Sequence, residues 1–94
     1  NNVIVGEKTN IKGNVKMEGN NVVGNNCNIH PHSKIKNSII WDNVTIEEGA
    51  ELDECIIANN VTVKAGTKVD KGAIIAQNTT VDSKKDYQIL QAKA

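Results

Sequence analysis

One apolar residue recurs at every sixth place for most of this chain, and that spacing restricts the fold more than anything else in it. Steps of six from Val5 reach Ile11, Met17, Val23, Ile29 and Ile35. A step of five leads to Ile40, sixes follow to Ile46 and Leu52, and a second five leads to Ile57. Val63, Val69, Ile75 and Val81 complete the series. All fourteen positions are aliphatic or Met, although only 38% of the chain is hydrophobic. Three steps make one unit, and the four units starting at Ile11, Ile29, Ile46 and Val63 hold 18, 17, 17 and 18 residues.

A second column dictates the backbone. Three residues after the apolar position, in the six-residue steps, stand Asn14, Asn20, Asn26, Asn43, Gly49, Asn60, Gly66, Gly72 and Asn78, with Lys8 and His32 as exceptions. Asn and Gly enter the left-handed region at little cost. The column therefore predicts a corner every sixth residue, and it accounts for fourteen Asn in 94 residues. Such punctuation breaks a helix, and six is no multiple of 3.6. Short strands between tight corners remain. Three corners per unit predict a triangular coil, and stacked coils predict an all-β parallel β-helix of four to five coils.

Each coil is expected to aim three apolar side chains at the axis. Four residues on lies a mostly small column that includes Val15, Cys27, Ser33, Val44 and Thr67, expected to pack beside the axis. Cys27 is explained by packing alone. Two further columns promise ladders along the axis: Asn26, Asn43, Asn60 and Asn78, and Thr45, Thr62 and Thr80. The domain reading is a partial first coil at 1–10, the β-helix at 11–81 and a tail at 82–94. Tyr87, Ile89 and Leu90 of that tail are expected to cap the last coil, because an open end exposes strand edges.

Lys+Arg and Asp+Glu number 11 each, so charge attraction recommends neither nucleic acid nor a membrane surface as partner. No apolar run approaches the length of a membrane helix. No charged, apolar and small-residue series opens the sequence as an export signal would. Cys27 and Cys55 read as small buried thiols in a reducing compartment, so a cytoplasmic location is expected.

The alternation of an aliphatic residue, polar residues, Gly or Asn and then a small residue resembles the hexapeptide-repeat family from residue 5 to 81. The resemblance implies a left-handed coil, whereas the general rule for β crossovers predicts a right-handed one. Narrower likeness lies in residues 36–75, where Asn37-Ser38-Ile39-Ile40-Trp41-Asp42-Asn43-Val44-Thr45-Ile46 precedes Cys55-Ile56-Ile57-Ala58. This segment resembles the carboxy-terminal β-helix of nucleotidyltransferase-like proteins. Two branches fit: the epsilon subunit of translation initiation factor 2B, part of a guanine-nucleotide exchange factor complex, and mannose-1-phosphate guanylyltransferase and its relatives. The string from Trp41 to Val44 favours the first. The catalytic domains of both branches lie outside their β-helix, so the resemblance implies a non-catalytic assembly domain that contacts other protein subunits. With Val5 already in the repeat, a piece of a longer subunit is expected. In the second branch the domain would regulate or oligomerise a sugar-phosphate nucleotidyltransferase.

No residue is assigned to catalysis, cofactor or metal. His30 and His32 flank Pro31 at a corner and read as surface residues. The rival is a trimeric acyltransferase of this scaffold, using one of them as general base. Zinc would need three or four ligands, and His30, His32 and Cys27 do not complete a set. Glu47, Glu48, Glu51, Asp53 and Glu54 on one coil oppose Lys64, Lys68 and Lys71 on the next, which predicts a solvated, mildly attractive flank. Ice binding would need Thr-x-Thr pairs, but Glu47, Lys64 and Asp82 stand where the second Thr belongs. Three residues are interface candidates. Trp41 directly follows an axial position and so projects at a corner, in keeping with the enrichment of Trp in binding hot spots. Val22 and Ile74 occupy the last, outward place of their steps.

Overall fold

Ile, Val and Thr suit pleated, half-buried surfaces, and the chain spends them in runs of two to four residues. A computed structural model describes residues 2–82. Its strands are β1 (Asn2–Val5), β2 (Asn10–Ile11), β3 (Lys16–Glu18), β4 (Asn20–Val23), β5 (Asn28–Ile29), β6 (Lys34–Lys36) and β7 (Ile39–Ile40). They continue as β8 (Thr45–Ile46), β9 (Glu51–Asp53), β10 (Ile56–Ile57), β11 (Thr62–Val63), β12 (Ile74–Ile75) and β13 (Thr80–Val81). Strands one coil apart pair in parallel to form three sheets. Sheet 1 has the order β1-β4-β7-β10-β12, sheet 2 the order β2-β5-β8-β11-β13, and sheet 3 the order β3-β6-β9. The result is a parallel β-helix of about four turns.

The register follows the apolar period without a slip. Ile29 lies on Ile46 and Ile46 on Val63, Val23 on Ile40, and Ile35 on Leu52. The two five-residue steps leave every axial residue aligned with its neighbours, because each coil containing one is shortened as a whole. Eleven axial residues, from Val23 to Val81, are buried. Burying each is worth roughly 1.5–3 kcal/mol. The remaining three depart from the expectation: Val5 and Ile11 are exposed at 42% and 36%, and Met17 is only partly buried. Their coil has a neighbour on one side only, so half of the expected cover is absent. Residues 83–94, with the proposed cap, lie outside the described residues.

The corners confirm the left-handed backbone and correct two details. Lys8, Asn14, Asn26, His32, Asn43, Asn60 and Asn78 have φ between 58° and 67°, and Gly49, Gly66 and Gly72 lie between 71° and 82°. Asn20, expected at a corner, is instead the first residue of β4, and Gly19 turns the corner at φ 74°. A Cβ on Gly19 would collide with the side chain of Asn37 from the next coil. The five-residue steps also have left-handed corners, at Asn37 (47°) and Glu54 (55°). This column, Gly19, Asn37, Glu54 and Gly72, joins sheet 3 to sheet 1.

The axial hydrogen-bond ladder also runs one residue away from the expected column. Side-chain oxygens of Asn25, Asp42 and Asn59 accept the backbone N–H of Glu7, Asn25 and Asp42, at 2.7, 2.9 and 2.9 Å. In the neighbouring Asn26 column it is the backbone that bonds, with Asn43 N–H donating to Asn25 O at 2.9 Å. The reason is geometric: the residue before the left-handed one turns its side chain along the axis. Thr45, Thr62 and Thr80 do align as one column.

Candidate protein interface

A parallel sheet is normally covered on both faces, yet this fold turns three outer faces outward, and the residue just before each axial position decides their character. On sheet 3 the register stacks Lys16, Lys34 and Glu51, and Lys68 bridges on to Glu51. Glu18, Lys36 and Asp53 form the second column. A shallow trough there is lined by Lys34, Lys36, Lys68 and Lys71 together with Glu18, Glu51 and Asp53. On sheet 2, Asn10, Asn28, Thr45, Thr62 and Thr80 form a polar column.

Sheet 1 is different. Ile4, Val22, Ile39, Ile56 and Ile74 lie on one another through five layers. The inward neighbours of the last four, Val23, Ile40, Ile57 and Ile75, are buried, and the pairing of Ile4 with Val22 puts Ile4 on the same side, so alternation along the strand sends the five aliphatics outward. Ile4 is 63% exposed, Val22 40% and Ile39 42%, while Ile56 and Ile74 are half-buried. Three residues before the axial positions of these layers stand Asn2, Asn20, Asn37, Glu54 and Gly72; one residue after them stand Gly6, Gly24, Trp41, Ala58 and Ala76. Glu54 is the single charge among these fifteen positions, in a chain with 23% charged residues.

Trp41 is thus the one large side chain in a column otherwise made of Gly and Ala, and it is 49% exposed. Its backbone is held on both sides: its N–H donates to Ile57 O at 2.8 Å, and its carbonyl accepts the Cys27 Sγ–H at 3.0 Å. Gly24, one coil earlier, has no room for a side chain, because a Cβ would strike the Trp41 backbone and the Asp42 carboxylate.

The three residues picked from sequence therefore share this face. Ile4, Ile39 and Ile56 were missed, although counting one place back from each axial residue reveals them. His30 is half-buried and His32 exposed, the latter at a corner, and neither lines the trough on sheet 3. No group of three or more His, Cys, Asp or Glu is placed to hold a metal ion among the described residues. Cys27 and Cys55 are buried free thiols, and desolvation is the main cause that pushes both upward from their ordinary pKa. Cys55 continues a small-residue column with Asn21, Ser38 and Ala73. Asn21 Oδ1 accepts Ser38 N–H at 2.8 Å, and Ser38 Oγ accepts Cys55 N–H at 3.1 Å. The acidic and basic flanks meet as exposed ion pairs, Glu47–Lys64 at 3.8 Å and Glu54–Lys71 at 3.9 Å.

Comparison with protein families places the fold and the repeat in context. The family described as EIF2B subunit epsilon LbH domain matches residues 1–87. The chain belongs to that family. An EIF2B epsilon LbH domain is a left-handed β-helix, which settles the handedness in favour of the resemblance. The match extends beyond the last described strand of the LbH repeat, β13, which ends at Val81. No curated protein matches the chain.

Proposed function

We propose that this LbH domain is a non-catalytic assembly module of an initiation factor 2B epsilon-type subunit, within a guanine-nucleotide exchange factor complex, and that sheet 1 is its contact face. The observation that carries this reading is the nearly charge-free outer surface of sheet 1, with five stacked aliphatics beside an exposed Trp. Stable interfaces deplete charge at their centre and enrich aromatic residues there, and contiguous exposed apolar surface marks contact sites. Sheet 3, with the same backbone, has none of these traits. Family membership favours the initiation-factor setting over the regulatory domain of a sugar-phosphate nucleotidyltransferase.

The test compares the two faces in binding to purified subunits of the factor. Ile39→Glu and Ile56→Glu are expected to weaken capture by at least tenfold, while Lys34→Glu and Lys36→Glu leave it within twofold. Equal behaviour of the two pairs refutes sheet 1 as the contact face.

A further inference from the structure

Resting on the assembly reading, we infer that Asp42, at the rim of sheet 1 beside Trp41, is a specificity residue of the contact, and that the partner subunit meets it with an arginine. Three observations lead there. The first is that the fold needs an acceptor at this place and has no use for a charge. Asn25, Asp42 and Asn59 have one part in the axial ladder: a side-chain oxygen of each accepts a backbone N–H from the coil before, at 2.7, 2.9 and 2.9 Å. An amide oxygen serves at two rungs and a carboxylate oxygen at the third. Asn and Asp are alike in shape, so the ladder accounts for the oxygen of Asp42 and not for its charge.

The second is that nothing nearby answers the charge. Asn25 and Asn59 are its neighbours along the ladder, Trp41 precedes it and Asn43 follows. The ion pairs among the described residues are Glu47–Lys64 and Glu54–Lys71. Glu54, the charge at the opposite edge of sheet 1, is therefore paired, and among the described residues Asp42 is not. Asp42 is half-buried. A partner that covers the adjacent Trp41, 49% exposed, takes water from the carboxylate as well, and an unpaired carboxylate so desolvated is costly. Contact on this side thus requires a cation from the partner, and a surface without one is rejected. A single charge beside a neutral face gives specificity in this way.

The third is the juxtaposition of indole and carboxylate. A guanidinium stacks on an aromatic face and bonds a carboxylate through its planar edge, whereas the ammonium of Lys is a point charge. Trp and Arg are also both enriched among the residues that dominate interface energy. This chain contains no Arg, so the guanidinium belongs to the partner.

Asp42→Asn keeps the ladder and removes the charge. The variant is expected to unfold at the urea midpoint of wild type and to bind purified subunits of the factor at least tenfold more weakly. Raising salt from about 50 to about 500 mM weakens the wild-type contact and leaves that of the variant nearly unchanged. Glu48→Gln, at an exposed place between sheets 2 and 3, keeps binding within twofold. Phenylglyoxal blocks arginine and finds none in this chain. Treating the partner subunits with it is expected to lower wild-type binding to the level of Asp42→Asn and to affect the variant far less. Binding of Asp42→Asn at wild-type strength overturns the inference. If Ile39→Glu then still weakens capture, the assembly reading survives on its own; if neither does, both fail. A lowered urea midpoint in Asp42→Asn also overturns it, by assigning the charge to the fold. Equal loss from phenylglyoxal in wild type and variant overturns the arginine.

Discussion

Sheets 1 and 3 are built on one plan and finished differently. Both point aliphatic residues at the axis, Ile40 and Ile57 from one side, Ile35 and Leu52 from the other, and all four are buried. Outside, sheet 1 stacks Ile39 on Ile56, whereas sheet 3 stacks Lys34 on Glu51 and Lys36 on Asp53. The inward half of each strand is constrained by close packing, which tolerates neither voids nor charge. The outward half is free for whatever the surroundings of the molecule require. Contrast between two outer faces is therefore the informative signal, since folding demands no such difference.

The strongest way to break the comparison is to attack the shared interior. Ile40→Ala and Leu52→Ala should each cost about 2–5 kcal/mol, read as matched falls in the urea midpoint. Tolerance of one but not the other would show that the two inner faces are not equivalent. Next comes the corner column joining the two sheets. Gly19→Ala should cost roughly 1–3 kcal/mol, since it adds a collision with Asn37 to the strain of a positive φ. Gly72→Ala meets no atom within 4 Å and should cost about 1 kcal/mol, the φ penalty alone. Equal losses would mean that Asn37 yields easily.

A smaller effect depends on pH. Burial raises the thiol of Cys55 above the 9.0 of an unburied cysteine, so between 9.0 and the raised value the unfolded chain loses its proton first. This contribution to stability is complete below pH 9.0 and falls as pH rises through that window. Cys27 behaves in the same way. Denaturation of Cys55→Ala and Cys27→Ala against pH should each show a shallower alkaline decline than wild type, and an unchanged slope would dismiss the thiols as its source. Smallest of all are the outer charges of sheet 3. Lys36→Glu should alter stability by less than about 0.5 kcal/mol. Glu54→Asn at the corner should add a few tenths, because Asn accepts φ 55° more readily than Glu. A large loss in either would reveal an ion-pair network that the exposed Glu54–Lys71 contact does not suggest.

Much of this could be read from single residues. The spacing of Ile29, Ile46 and Val63 already implied stacked coils, and Asn and Gly at Asn43, Asn60 and Gly66 implied where they turn. Both follow from local rules: which side chains seek the axis, and which residues tolerate a positive φ. Glu54 escaped notice because its type discourages the conformation that its neighbours impose. Cys55 escaped because counting forward in a five-residue step loses the column that counting back from Ile57 recovers, and Asn21, at the counted place, escaped because its amide is unlike the small or branched residues of that column.

What the amino-acid order determined alone was the inner face and its period, because burial and backbone sterics act on each residue in place. Whether Ile4, Val22, Ile39, Ile56 and Ile74 form one stripe was decided only in three dimensions. Residues 17 or 18 apart become neighbours solely through the pairing of successive coils, and a surface exists only once that pairing has brought them together.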